Sequence, residues 1–125
     1  GKNGLTAERG FPSQAEVVID ARTAGDVAGA TYMDRPEWIA VHPRSQEVYV
    51  TLSNNTARGK GKPLHQANAL GADAANPRAP NLMGHIVRWR EAGGDAAATR
   101  FTWDVFLQAG EPTHADPLKR GNVKG

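Results

Sequence analysis

MDRPEWIAVHPRSQEVYVTLSNNT, residues 33–56, holds two runs that alternate as strands do, Glu37–His42 and Glu47–Leu52. Both are rich in β-branched and aromatic residues, which suit a pleated, half-buried surface. Pro43-Arg44-Ser45-Gln46 between them has turn chemistry: proline fixes φ, and serine and arginine tolerate exposure. A turn centred there predicts a hairpin pairing Val41 with Tyr49, Ile39 with Thr51 and Glu37 with Ser53. Trp38, Ala40, Val48, Val50 and Leu52 then share one face, and Ile39, Val41 and Tyr49 the other. Both faces are apolar, so other layers should cover the hairpin on each side.

Two further strands follow. His85–Arg90 alternates well, and Phe101–Leu107 lies beyond a Gly93-Gly94-Asp95 turn signal. Between the hairpin and the third strand, residues 54–83 are rich in alanine, proline and polar groups and predict a long ordered loop, of the kind that often carries function. Four consecutive antiparallel strands buried on both faces make the unit of a β-propeller blade. The expected fold class is therefore all-β: one four-stranded blade with long loops, part of a domain. Residues 34–110 form the blade and 111–125 an exit loop. Residues 1–33 form the lead-in, where Ala15–Asp20 is a strand or the start of a helix. As a strand it would be the outer strand of the preceding blade. The alanines and glycines after it allow a short helical turn.

Composition narrows the function. The chain has 125 residues, 15 Lys and Arg against 13 Asp and Glu, and no cysteine. A disulfide framework or a cysteine-based zinc site is thereby excluded within it. The basic residues do not cluster with aromatics, so no nucleic-acid partner is expected, and Arg58-Gly-Lys60-Gly-Lys62 reads as a solvated loop. No apolar run approaches membrane-spanning length, so no membrane partner is expected either. Fourteen glycines and eight prolines favour short strands and long loops over a helical bundle. With this much loop, the apolar faces of the hairpin exceed what the chain can cover, so self-association, or a need for the rest of a propeller, is expected.

The chemistry-bearing residues lie at the hairpin entrance. Arg35 and Glu37, two apart on an extended chain, project to one side beside Ser53, Asn54 and Asn55. Pro36 stiffens the approach and offers no ladder donor. A carboxylate can ligate a hard cation, and an arginine fork matches phosphate oxygens. From spacing alone, a surface Arg–Glu pair accounts for Arg-Pro-Glu better than a site does. His42, His65, His85 and His114 are scattered without ligand spacing, and Trp38, Trp89 and Trp103 fall one per strand, as packing residues would.

The quoted stretch, together with ANPRAPNLMGHIVRWREAGGDAAATRFTWDVFLQAG (75–110) and GNVKG (121–125), closely resembles the PhoX-type alkaline phosphatases. The resemblance runs from about Gly10 to the end. It implies a secreted or periplasmic monomeric β-propeller enzyme that releases phosphate from organic phosphomonoesters with an iron–calcium cluster. In that family an Arg-Pro-Glu at the propeller mouth supplies a phosphate-binding arginine and a metal-ligating glutamate. By resemblance Arg35 and Glu37 are the catalytic pair, Arg35 on phosphate and Glu37 on metal, and Asp34 and Asn54 stand behind them as supporting residues. The family's cluster draws on several parts of a much longer chain, including a cysteine on iron, which is absent here. The expectation is thus a fragment of the phosphatase, inactive by itself and holding calcium or iron at most weakly. The alternative is a non-enzymatic β-propeller interaction or scaffold module with Asp34, Arg35 and Glu37 as a polar rim.

Overall fold

The computed structural model describes residues 2–61 and 70–123. The chain divides into two compact units, Gly1–Tyr32 and Met33–Gly125.

The first unit is helical, which corrects the assignment of Ala15–Asp20 as an outer strand. Helix α1 spans Gln14–Ile19 and α2 spans Ala21–Ala28. Ser13 caps α1: its Oγ accepts from the Ala15 N–H at 3.1 Å, and the Glu16 carboxylate accepts from the Ser13 N–H at 3.1 Å. This reciprocal box satisfies orphan donors of the first turn and outweighs the β preference of Val17, Val18 and Ile19. The Asp20 side chain caps α2 through the Thr23 N–H, and Gly29, at φ 73, ends it in the left-handed conformation.

The second unit is one antiparallel sheet: β1 Pro36–Val41, β2 Val48–Leu52, β3 His85–Glu91, β4 Phe101–Gln108 and β5 Asn122–Val123, in the order β1-β2-β3-β4-β5. The four expected strands are all present, with ends within one residue of expectation. The stretch expected as an exit loop contributes the short fifth strand, pairing Val123 with Leu107 and Asn122 with Gln108. Its approach depends on glycine, because a Cβ on Gly110 or Gly121 would collide with the facing backbone.

The hairpin register differs from expectation by one residue. Val41 pairs with Val48, Ile39 with Val50 and Trp38 with Thr51. The turn is closed by the His42 N–H donating to the Glu47 carbonyl at 2.8 Å, with Gln46 at φ 58. That left-handed residue ends the turn one position earlier. Ile39 and Val41 therefore share a face with Val48, Val50 and Leu52, while Trp38 and Ala40 join Tyr49.

The core lies at the sheet centre, where Val48, Leu52 and Val87 are buried. Every residue of β1 is exposed, Trp38 to 75%. The Tyr49 face is more polar than expected. Arg88 donates to both carboxylate oxygens of Asp104, at 3.1 and 2.8 Å, and its guanidinium carbon lies 5.0 Å from the Phe106 ring centre. Arg90 donates to Glu47 at 2.7 Å. Ser45 also donates to Glu47, and this bond, ahead of the neighbouring arginines, holds the Glu47 carboxyl below its usual range.

Candidate active site

The entrance to β1 departs from extended geometry twice. Arg35 has φ 33, in the left-handed region, which costs an L side chain about 1–2 kcal/mol. A bulge between Pro36 and Trp38 then moves the pairing by one more position, so Pro36 faces Leu52. The Ser53 N–H donates to the Arg35 carbonyl at 3.1 Å. Through this bulge the expected neighbours meet even though the expected register is wrong.

Arg35 Nη1 donates to the Asn54 carbonyl at 3.2 Å and to Asn54 Oδ1 at 3.3 Å. Its Nη2 lies 3.7 Å from Glu37 Oε1, which also accepts from Ser53 Oγ at 3.1 Å. The two side chains are 61% and 55% exposed, so their mutual attraction adds little to stability. The corner presents a cation and a carboxylate to solvent, steered by Asn54 and Ser53.

Directly behind it lies a buried polar cluster. Asp34 is fully buried and turns inward, away from the pair it precedes. Its Oδ1 accepts from Arg58 Nε at 2.7 Å and Asn55 Nδ2 at 2.9 Å, and its Oδ2 accepts from Asn81 Nδ2 at 3.0 Å. The Asp34 N–H donates to Asn76 Oδ1 at 2.9 Å. Arg58 is also fully buried. It donates to the Gly71 carbonyl at 3.1 Å and lies 3.5 Å from the Asp73 carboxylate, so the solvated-loop expectation fails for this residue. Lys60 is exposed as expected, and Lys62 lies outside the described residues.

His85 closes the cluster. Its Nε2 lies 2.8 Å from the Ala75 carbonyl, which only accepts, so Nε2 carries the proton. Nδ1 then accepts from Asn81 Nδ2 at 3.2 Å. Burial pushes the ring's pKa down, against the opposing bond to Ala75, so the neutral imidazole fits this position. Nearby, the buried Arg78 ties the carbonyls of Gly84, Ala109, Leu118 and Arg120 together. Its Nε has no partner among the described residues, and desolvation lowers its pKa.

Arg35, Glu37 and Asn54 thus meet at the entrance to β1, and Asp34, although next in sequence, is buried among other partners. His42 is a turn residue accepting from the Arg44 and Ser45 N–H groups, and His114 accepts from the Asp116 N–H. His65 lies outside the described residues. Sequence reasoning does not single out Arg58, Asn76, Asn81 and His85 as a cluster around Asp34. Their only sequence signal is the polar, proline-punctuated loop around Asn76-Pro77-Arg78-Ala79-Pro80-Asn81.

A hard cation such as calcium needs six to eight oxygens. Glu37 suits one such ligand. Asp34 does not, because three donors already occupy its oxygens. Among the described residues no group of three or more His, Cys, Asp or Glu side chains could hold a metal ion. The residues described here therefore do not complete a metal site.

The five-stranded antiparallel sheet, with an arginine–carboxylate corner at one strand entrance, is consistent with part of an all-β propeller. The chain matches the alkaline phosphatase PhoX family over residues 2–125, and it belongs to that family. Among solved structures it is similar to Pseudomonas fluorescens PhoX in complex with vanadate, a transition state analogue. The two share 49% identity with a TM-score of 0.79, over 97% of this chain and 20% of that one. The chain spans about a fifth of that protein's length. No match was found among curated proteins.

Proposed function

We propose that this chain is the mouth-forming segment of a secreted or periplasmic, metal-dependent phosphatase acting on phosphomonoesters. Arg35 binds the phosphate oxygens and Glu37 ligates a metal. The observation that carries this reading is the Arg35–Glu37–Asn54 corner, held on a left-handed backbone in a chain 49% identical to a protein whose structure holds vanadate. Backbone strain maintained at an exposed arginine fits a site better than a surface ion pair.

Arg35 would meet two non-bridging oxygens with its planar fork and neutralise charge as it develops, while Asn54 fixes the guanidinium's azimuth. Metal on Glu37, calcium or iron by family resemblance, would supply Lewis-acid polarisation of the phosphoryl group. One carboxylate is too few for such a site, so the chain by itself is expected to be inactive. No helix among the described residues is long and apolar enough to cross a membrane. A non-enzymatic interaction module is the second reading, favoured by the exposed apolar residues of β1.

The test is made in the full-length holoenzyme carrying this sequence. Glu37→Gln keeps size but offers a poorer, uncharged donor, and should lower bound metal. Arg35→Lys keeps charge but loses the fork, and should leave metal in place while weakening phosphate as a competitive inhibitor. Parental metal content and phosphate inhibition in both variants would return the pair to a surface salt bridge and favour the second reading.

A further inference from the structure

The backbone at Arg35 is held from both sides of its Cα. The plane after Arg35 is held by the Ser53 N–H on the Arg35 carbonyl. Pro36 supplies no N–H that could compete for another arrangement. On the other side the preceding residue is fixed: the Asp34 N–H donates to Asn76, and the Asp34 carboxylate accepts from Asn55, Arg58 and Asn81. These partners come from two separate stretches between β2 and β3, residues 55–58 and 76–81. A residue held at that many points cannot rotate to relieve its neighbour.

We propose that Asp34 is a positioning residue for phosphate binding: its buried contacts with Arg58, Asn55, Asn81 and Asn76 lock Arg35 in the left-handed backbone that directs the guanidinium to Asn54 and Glu37. The proposal rests on the assignment of Arg35 as the phosphate ligand. It gives the loop between β2 and β3 a role at the mouth without contact with substrate. Asn55 and Asn54 then divide their work, the first gripping Asp34 from inside and the second gripping Arg35 from outside.

Two readouts test this. In the 125-residue chain, amide hydrogen exchange reports the backbone directly. Asp34→Asn should speed exchange at the Ser53 amide by about tenfold or more beyond the common rise that its lower global stability gives the β2–β3 ladder amides. Should Asp34→Asn unfold the sheet, Asn55→Ser is the second variant. Its hydroxyl can still accept from the Ala57 N–H but is too short to reach Asp34, and the Asp34–Arg58 pair survives. A uniform rise across all amides in Asn55→Ser, or no change at Ser53, overturns the proposal.

In the full-length holoenzyme the probe is inorganic phosphate as a competitive inhibitor. Asp34→Asn should weaken it about tenfold with metal content unchanged, and should add nothing further in an Arg35→Ala background. An equal loss in both backgrounds shows that Asp34 does not act through Arg35. If Arg35→Ala alone leaves inhibition unchanged, the phosphate assignment itself fails and the proposed role falls with it. The exchange data then still show whether Asp34 holds the backbone, so the two failures are distinguishable.

Discussion

Replacing Asp34 by asparagine keeps its shape and removes its charge, which isolates what the buried carboxylate contributes. Two donors converge on Oδ1 and one on Oδ2. An amide must therefore turn its own NH2 toward at least one donor. Asn81 cannot flip to accommodate it without losing the bond its Oδ1 accepts from the Gly84 N–H at 2.9 Å. Arg58 would meanwhile remain buried without its main counter-charge. Breaking a buried ion pair from one side costs about 3–5 kcal/mol. The Asp73 carboxylate, 3.5 Å from Arg58 Nη1 with its side chain 37% exposed, offsets part of that loss, so the lower end is expected, about 3 kcal/mol. At roughly 2.1 cal/mol/K of unfolding entropy per residue, a chain of this length should lose about 11 °C in melting temperature. The assay is thermal and urea unfolding of the parent, Asp34→Asn, Arg58→Met and the double variant at pH 7. Because Arg58→Met removes the orphaned charge, the double variant should be more stable than additivity predicts by about 2 kcal/mol. A shift below about 3 °C for Asp34→Asn, or strictly additive effects, would refute the view that this pair is the keystone of the loop.

Two other outcomes follow. His85 has a folded pKa below its usual 6.5 because burial disfavours the charged ring, so on acidification the unfolded chain takes up its proton first. Its stabilising contribution is complete above pH 6.5 and declines below it by at most about 1.36 kcal/mol per pH unit; melting curves from pH 7.5 to 5 should show this slope, and an unchanged slope in His85→Leu would refute it. Trp38, Ile39, Val41, Phe101 and Trp103 are exposed, so the isolated chain should self-associate with rising concentration in light scattering; a clean monomer throughout would count against this.

The strands were legible because alternation and β-branched residues over 37–42, 47–52, 85–90 and 101–107 agree with the turn signals between them. The register was not, because it depends on Gln46 adopting φ 58 and on the bulge at Glu37, neither of which has a residue signature such as glycine. Helix α1 carried its signal in Ser13-x-x-Glu16, but the Val17-Val18-Ile19 run pointed equally to a strand. Arg35 and Glu37 were singled out through family resemblance, since a three-residue motif says little by itself. Arg58, set among glycines and lysines, has the local composition of a solvated loop. Its burial is decided by Asp34, Gly71 and Asp73, which lie 13 to 24 residues away, and no local pattern reports that.

Arg35 and Gln46 share a strained backbone, at φ 33 and φ 58, and the comparison separates two kinds of selection. Glycine adopts positive φ without steric cost, so both positions would gain by drifting toward it in a population screened only for folded protein. If Arg35 is the phosphate ligand proposed above, a population of the full-length protein screened for phosphate release would leave Gln46 free to drift, since it serves the turn alone, and would hold Arg35. On that proposed role, Arg35 marks the position where the demands of folding and of activity oppose each other.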